Sequence, residues 1–271
     1  FDDSSEDEQL ILVATDGESY GHHHRYGEMG LAKCIADLSE RDDVVLENCE
    51  SFLARNPPVY RAKLVTPSAW SCAHGVGRWE RDCGCAINPG SGWNQAWRAP
   101  LRGALSWLRD QFHLKVKQTG LKFKKDLKAA QLDYVKVVLK QWTKEEFTQK
   151  HLKSGKAEVL LGVMEMFRFS RAMFTSCAWF FDDVSGIESQ QNLLYARRAL
   201  ELAKEHLGVD LESALLTKLK LAESNLPELG NGANVYQRAL EDALSAPGPN
   251  QAKFKEVSHS GDYFENRTAG V

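Results

Sequence analysis

The sequence predicts a mainly α protein, a helical bundle preceded by a short strand-and-helix segment. Three observations carry this reading. After Pro100, apolar residues recur at helical spacing as far as about residue 246. Leu10–Ala14 reads as a strand and Val59–Val65 as a second strand or an extended segment after the prolines, both near the start. Between these regions, residues 66–100 lose periodicity and collect Trp, Cys, Gly and His.

Taken in order, the acidic stretch FDDSSEDE reads as a mobile loop rather than a protein start, followed by a buried strand over Leu10–Ala14. Polar chemistry then begins abruptly, from Thr15 to His24, with Gly17 and Gly21 allowing sharp turns. Met29, Ala32, Ile35 and Ala36 predict a helix over Tyr26–Leu38. A shorter helix over Val44–Leu53 is stopped by Asn56-Pro57-Pro58. Beyond residues 66–100, helices are expected over Leu101–Val116, Leu121–Gln141, Glu145–His151, Ala157–Asp183, Ile187–Leu207, Leu211–Ser224 and Val235–Leu244. Gly186, Gly208, Pro227, Gly230 and Gly232 punctuate them. The lone first strand needs partners, so most of its sheet is expected on sequence before Phe1. Three parts follow: 1–65, the helical domain 66–246 with its loop 66–100, and a flexible tail 247–271 rich in Pro, Gly, Ser and Asn.

Composition narrows the function. With 271 residues, 43% hydrophobic, 26% charged and a net charge of −3, the chain has the makeup of a soluble globular protein and no electrostatic case for nucleic acid or an anionic membrane. The longest apolar stretch, Val159–Phe181, is broken by Glu165, Arg168 and Arg171, which argues against a membrane span. Six unevenly spaced cysteines fit a reducing compartment, and a cytoplasmic location is expected.

Three clusters could carry chemistry. In the first, Asp16 and Glu18 follow the strand, with His22, His23 and His24 close behind; these can bond sugar hydroxyls or, for the histidines, ligate a metal. In the second, Cys72, His74, Cys83 and Cys85 offer a four-donor set suited to tetrahedral zinc, in C-x-H and C-x-C spacings that depart from the usual knuckle. Their alternative role is as reduced cysteines filling a glycine-rich loop, and no cofactor is required by the reading adopted. Trp70, Trp79, Trp93, Trp97 and Arg98 share that loop; flat aromatic faces pack on sugar rings, or else anchor the loop to helices beneath. The third cluster is WFFDD at 179–183, where Met166, Phe169, Met173, Phe174, Cys177 and Phe181 read as bundle core. Asp182 and Asp183, at the end of the expected helix, would meet Arg168, Arg171 or a ligand.

The stretch VATDGESYGHHH resembles the fourth sequence motif of glycoside hydrolase family 57. SAWSCAHGVGRWERDCGC, GWNQAWRAPLRGALSWL, MFTSCAWFFDDVSGIES and AESNLPELGNG resemble the uncharacterised C-terminal domain attached to one branch of that family. The resemblance implies the end of an incomplete (β/α)7 barrel, followed by helices, in a bacterial enzyme that acts on α-linked glucans with retention. It maps the general acid/base onto Asp16, supported by Glu18, and a substrate contact onto His23. Retention needs a second carboxyl about 5–5.5 Å from the first; the nucleophile of the family lies on an earlier strand, which this chain would need from its upstream barrel half. The loop over residues 66–100 is then expected to cover the site, with Trp70, His74, Trp79, Trp93, Trp97 and Arg98 meeting an α-glucan or oligosaccharide. Two other readings stand beside it: a non-catalytic carbohydrate-binding or scaffold module, and a metal-dependent hydrolase using the His/Cys groups.

Overall fold

A computed structural model describes residues 8–245 of the chain; the segments expected to be mobile before residue 8 and in the tail lie outside them. The chain divides into two compact units, Phe1–Val65 and Thr66–Val271.

In the first unit, α1 spans Gly27–Ser39 and α2 spans Cys49–Arg55. Asn48 caps α2 by accepting the Ser51 N–H at 2.9 Å, and Arg55 reaches back to Glu47 at 2.7 Å. Among the described residues of this unit, none is buried. The strand expected over Leu10–Ala14 does not form: Leu10, Ile11, Leu12 and Val13 are 47–74% exposed and have no ladder partner. Residues 59–65 form no strand either, which leaves the extended segment after the prolines. A strand exists only through the neighbour that takes its N–H and C=O groups.

The second unit is mainly helical. Its core begins with α3, Arg98–Lys117, whose Leu101, Ala104, Leu105, Leu108, Phe112 and Val116 form one buried stripe. The helix expected over Leu121–Gln141 is instead a strand and two short helices. Lys122–Phe123 (β1) pairs antiparallel with Leu152–Ser154 (β2), while α4 (Leu127–Asp133) and α5 (Val135–Val138) follow the cap at Asp126. Asp126 accepts the Ala129 N–H at 2.7 Å, and a side chain that bonds its own backbone in this way starts a helix rather than continuing one. Next comes α6, Lys144–His151, opened by a Thr143/Glu146 capping box and leading into β2.

The helix expected over Ala157–Asp183 breaks into α7 (Ala157–Ala172) and α8 (Cys177–Phe180). At the break Thr175 Oγ1 donates to the Ala172 carbonyl, and Asn192 and Trp79 donate to the Thr175 and Ser176 carbonyls. Cys177, expected in the core, is exposed. The long helix α9, Ile187–Leu207, packs along α7, and α11 (Gly232–Ser245) packs on α9. Between them α10, Glu212–Leu219, packs on α3 and ends five residues before the expected Ser224. Gly208, at φ 67°, closes α9 in the left-handed conformation that glycine tolerates. No helix among the described residues is long and apolar enough to cross a membrane.

Candidate functional site

Within the first unit, the Asp16–His24 stretch folds into interlocked turns made by the backbone. Ser19 N–H donates to the Asp16 carbonyl, His23 N–H to that of Glu18 and His24 N–H to that of Ser19, each at 3.1 Å. The His24 carbonyl closes the segment by accepting from Gly21 and Gly27 at 3.0 and 2.8 Å. Gly21, at φ 97°, is needed for this path: a Cβ there would be strained and would lie 3.0 Å from the Glu28 carboxylate. Because main-chain groups satisfy one another, the side chains of Asp16, Glu18, His22, His23 and His24 are left exposed. His22 and His23 meet edge to face at 4.9 Å.

In the second unit, Cys72, His74, Cys83 and Cys85 come together. Their four donor atoms lie within 4.8 Å of one another and could hold a metal ion. Cys72 Sγ is 3.9 Å from the sulfurs of both Cys83 and Cys85, and Cys85 Sγ is 3.5 Å from His74 Nδ1. All three cysteines are free thiols; a disulfide would bring two sulfurs to about 2 Å. Cys72 is buried, Cys83 and Cys85 are half-buried, and His74 lies at the rim. Burial by itself would raise the Cys72 thiol, but the Arg78 and His74 N–H groups and the Cys83 and Cys85 thiols outweigh it and hold it at about 6. Cys85 is pushed the other way, by burial and by its neighbours Cys83 and Cys72.

The backbone that gathers these donors is irregular and is positioned by glycine. At Gly77 a Cβ would stand 3.1 Å from the Cys83 Cβ, so glycine lets the two arms of the loop approach without crowding.

What holds this loop was not readable in the sequence. Asp182 accepts the Ile87 and Asn88 N–H groups at 2.8 Å each. Asp183 accepts from Ser185, Ser224 and Asn225, and Asn225 in turn clasps Asn94 through the Asn94 N–H at 2.9 Å and its carbonyl at 3.0 Å. Asp182 therefore binds main-chain donors, and Asp183 main-chain N–H groups with the Ser224 and Asn225 side chains, rather than the arginines expected for them; Arg168 pairs with Glu165, and Arg171 bonds Gln131. The carbonyls of residues 181, 182 and 176 complete the docking. Arg98, fully buried, donates to the Cys85 and Phe181 carbonyls; Trp97, 1% exposed, donates to that of Asp182; Trp79 donates to that of Ser176. The indole N–H groups of Trp79 and Trp97 and both Arg98 Nη atoms are thus committed to the protein, whereas Trp70 is 83% and Trp93 40% exposed.

A separate groove of about 790 Å³ is lined by α5 through α7 and α9, with Trp142, Glu165, Arg168 and His206 in its walls. Lys136 and Lys150 hold their ammonium groups 4.3 and 4.1 Å from the Trp142 ring.

Comparison with known proteins gives one family: the sequence matches the Domain of unknown function (DUF3536) over residues 93–253. No curated protein and no solved structure matches the chain.

Proposed function

Because this chain belongs to the DUF3536 family, whose function is unknown, we propose a function from its own residues: it is part of a family 57-like glycoside hydrolase or transglycosylase acting on α-linked glucans with retention. The observation that carries the reading is the Leu10–Tyr26 stretch. An exposed apolar run, Leu10–Val13, leads straight into turns closed by main-chain hydrogen bonds, and the side chains of Asp16, Glu18 and His23 are exposed on them.

Asp16 is then the general acid/base, protonating the leaving oxygen and later activating water, while Glu18 and His23 bind sugar hydroxyls. The attacking carboxylate comes from the barrel half that pairs with Leu10–Val13, whose exposed apolar side chains are the surface such a partner would cover. In the loop, the exposed faces of Trp70 and Trp93 suit stacking on a sugar ring.

The test is turnover of α-glucans by the uninterrupted gene product beside its Asp16→Asn variant. Removing acid assistance is expected to lower the rate by roughly 10²-fold or more, with glucan binding retained. Unchanged turnover would refute the role of Asp16. Since Asp16 is exposed within its unit, a carbohydrate-binding module is the second reading; glucan binding that disappears on Trp70→Ala and Trp93→Ala, with no turnover in any form, would establish it.

A further inference from the structure

We propose that Cys72, His74, Cys83 and Cys85 bind one zinc ion, and that this ion is a structural staple for the irregular loop between residues 66 and 97. The first argument is metric. Zn–S bonds of about 2.3 Å and a Zn–N bond of about 2.0–2.1 Å arranged tetrahedrally put sulfurs about 3.8 Å apart and a sulfur about 3.6 Å from the nitrogen. Cys72 Sγ stands 3.9 Å from the sulfurs of Cys83 and Cys85, and Cys85 Sγ stands 3.5 Å from His74 Nδ1. These three separations match the edges of a zinc tetrahedron, and all four donors lie within 4.8 Å of one another.

Donor chemistry narrows the ion further. Three thiolates and an imidazole are a soft set that suits zinc and leaves out magnesium or calcium, which take oxygen. An iron–sulfur cluster needs space for inorganic sulfides and several irons, yet here every donor lies within 4.8 Å of the others, the span of a single ion. The second coordination requirement is also met: the Arg78 N–H points at Cys72 Sγ over 3.4 Å, as a donor to a metal-bound thiolate does. Such a centre carries net charge −1. Beside it lies Arg98, wholly buried, which donates to the Cys85 carbonyl at 2.8 Å and so places a positive charge against the ligand loop.

Four protein donors leave no open position for water, so the ion is structural rather than catalytic. Its role follows from the loop itself. Residues 66–97 carry little regular structure beyond two short 3-10 turns at Gly77–Trp79 and Pro89–Ser91, and the cluster ties the Cys72 arm to the Cys83 arm across ten intervening residues, as the numbering shows. Joining the arms restricts the unfolded loop and adds the binding energy of the metal to the folded state.

The test is the metal content of the purified chain by elemental analysis and native mass spectrometry, together with alkylation of its thiols. About one equivalent of zinc is expected, surviving dialysis, and replaceable by cobalt(II) with the visible bands of a tetrahedral thiolate complex. Cys72, Cys83 and Cys85 should be protected from alkylation until a strong chelator is added, while Cys34 and Cys177 react at once; this readout needs no variant and does not depend on one folding. Cys85→Ser should lose most of the zinc, and Cys34→Ser none. The proposal is overturned by less than about a tenth of an equivalent with no uptake from added zinc, by iron or copper in its place, by a chain two mass units light from a disulfide, or by thiols equally reactive with and without chelator.

Discussion

Asp183 is 6% exposed and accepts four hydrogen bonds: from the Ser185 and Asn225 N–H groups at 2.8 and 2.6 Å, from Ser224 Oγ at 2.7 Å and from Asn225 Nδ2 at 3.0 Å. Burial pushes its carboxyl upward, but the bonds from Ser185, Asn225 and Ser224 outweigh burial and leave it below the ordinary carboxylate value. A depressed folded-state value means that the stabilisation is fully present above the ordinary carboxylate range and is lost as pH falls through the folded value. The denaturant midpoint of the helical unit should therefore fall on acidification, and Asp183→Asn should flatten that slope. At neutral pH the substitution should cost about 2 kcal/mol, because an amide can accept at one atom only and leaves main-chain donors short; urea titration at two pH values measures both effects.

At the scale of elements, α7 and α9 approach closely because Gly162 faces His206. A Cβ at Gly162 would fall 2.0 Å from the His206 ring, well inside contact distance. Alanine would gain about 1 kcal/mol of helix propensity, yet the clash forces the ring or the helix aside at about 1–3 kcal/mol. Gly162→Ala should lower the melting temperature, and His206→Ala in the same chain should recover most of the loss, which a double-mutant cycle by thermal unfolding will read. The sequence showed α3, α6, α9 and α11 nearly to their ends, because Leu101–Val116 and Leu193–Ala203 keep helical period and Gly208 marks a stop. It did not show the break after Ala172, where neither Pro nor Gly stands; the chain leaves the helix because Thr175, Asn192 and Trp79 take its carbonyls, and two of those three lie far off in sequence. The cysteine cluster was visible as residue types and not as geometry, since Gly77 and the arms it lets close become apparent only in three dimensions.

For the molecule as a whole, burial separates the two units. Residues 8–65 bury nothing, while α3, α7 and α9 of the helical unit hold Leu105, Leu108, Val163, Ala196 and Ala199 fully out of water. Opening free energy follows buried contact, so amides of α1 and α2 in this chain should exchange with solvent faster than those of α7 and α9 by on the order of a thousandfold. Hydrogen–deuterium exchange with mass spectrometry checks this directly, and equal protection in both units would show that the first is covered in solution.

The anchoring of Asn94 by Asn225 spans 131 residues, and that of Ile87 by Asp182 spans 95. A ribosome adding about 5–20 residues per second takes roughly 7–26 s over the longer interval. For that time Cys72, Cys83 and Cys85 exist on the nascent chain without the helices that will seat their loop, so their fate as ligands, thiols or oxidised products is open to the surrounding medium before the fold can decide it.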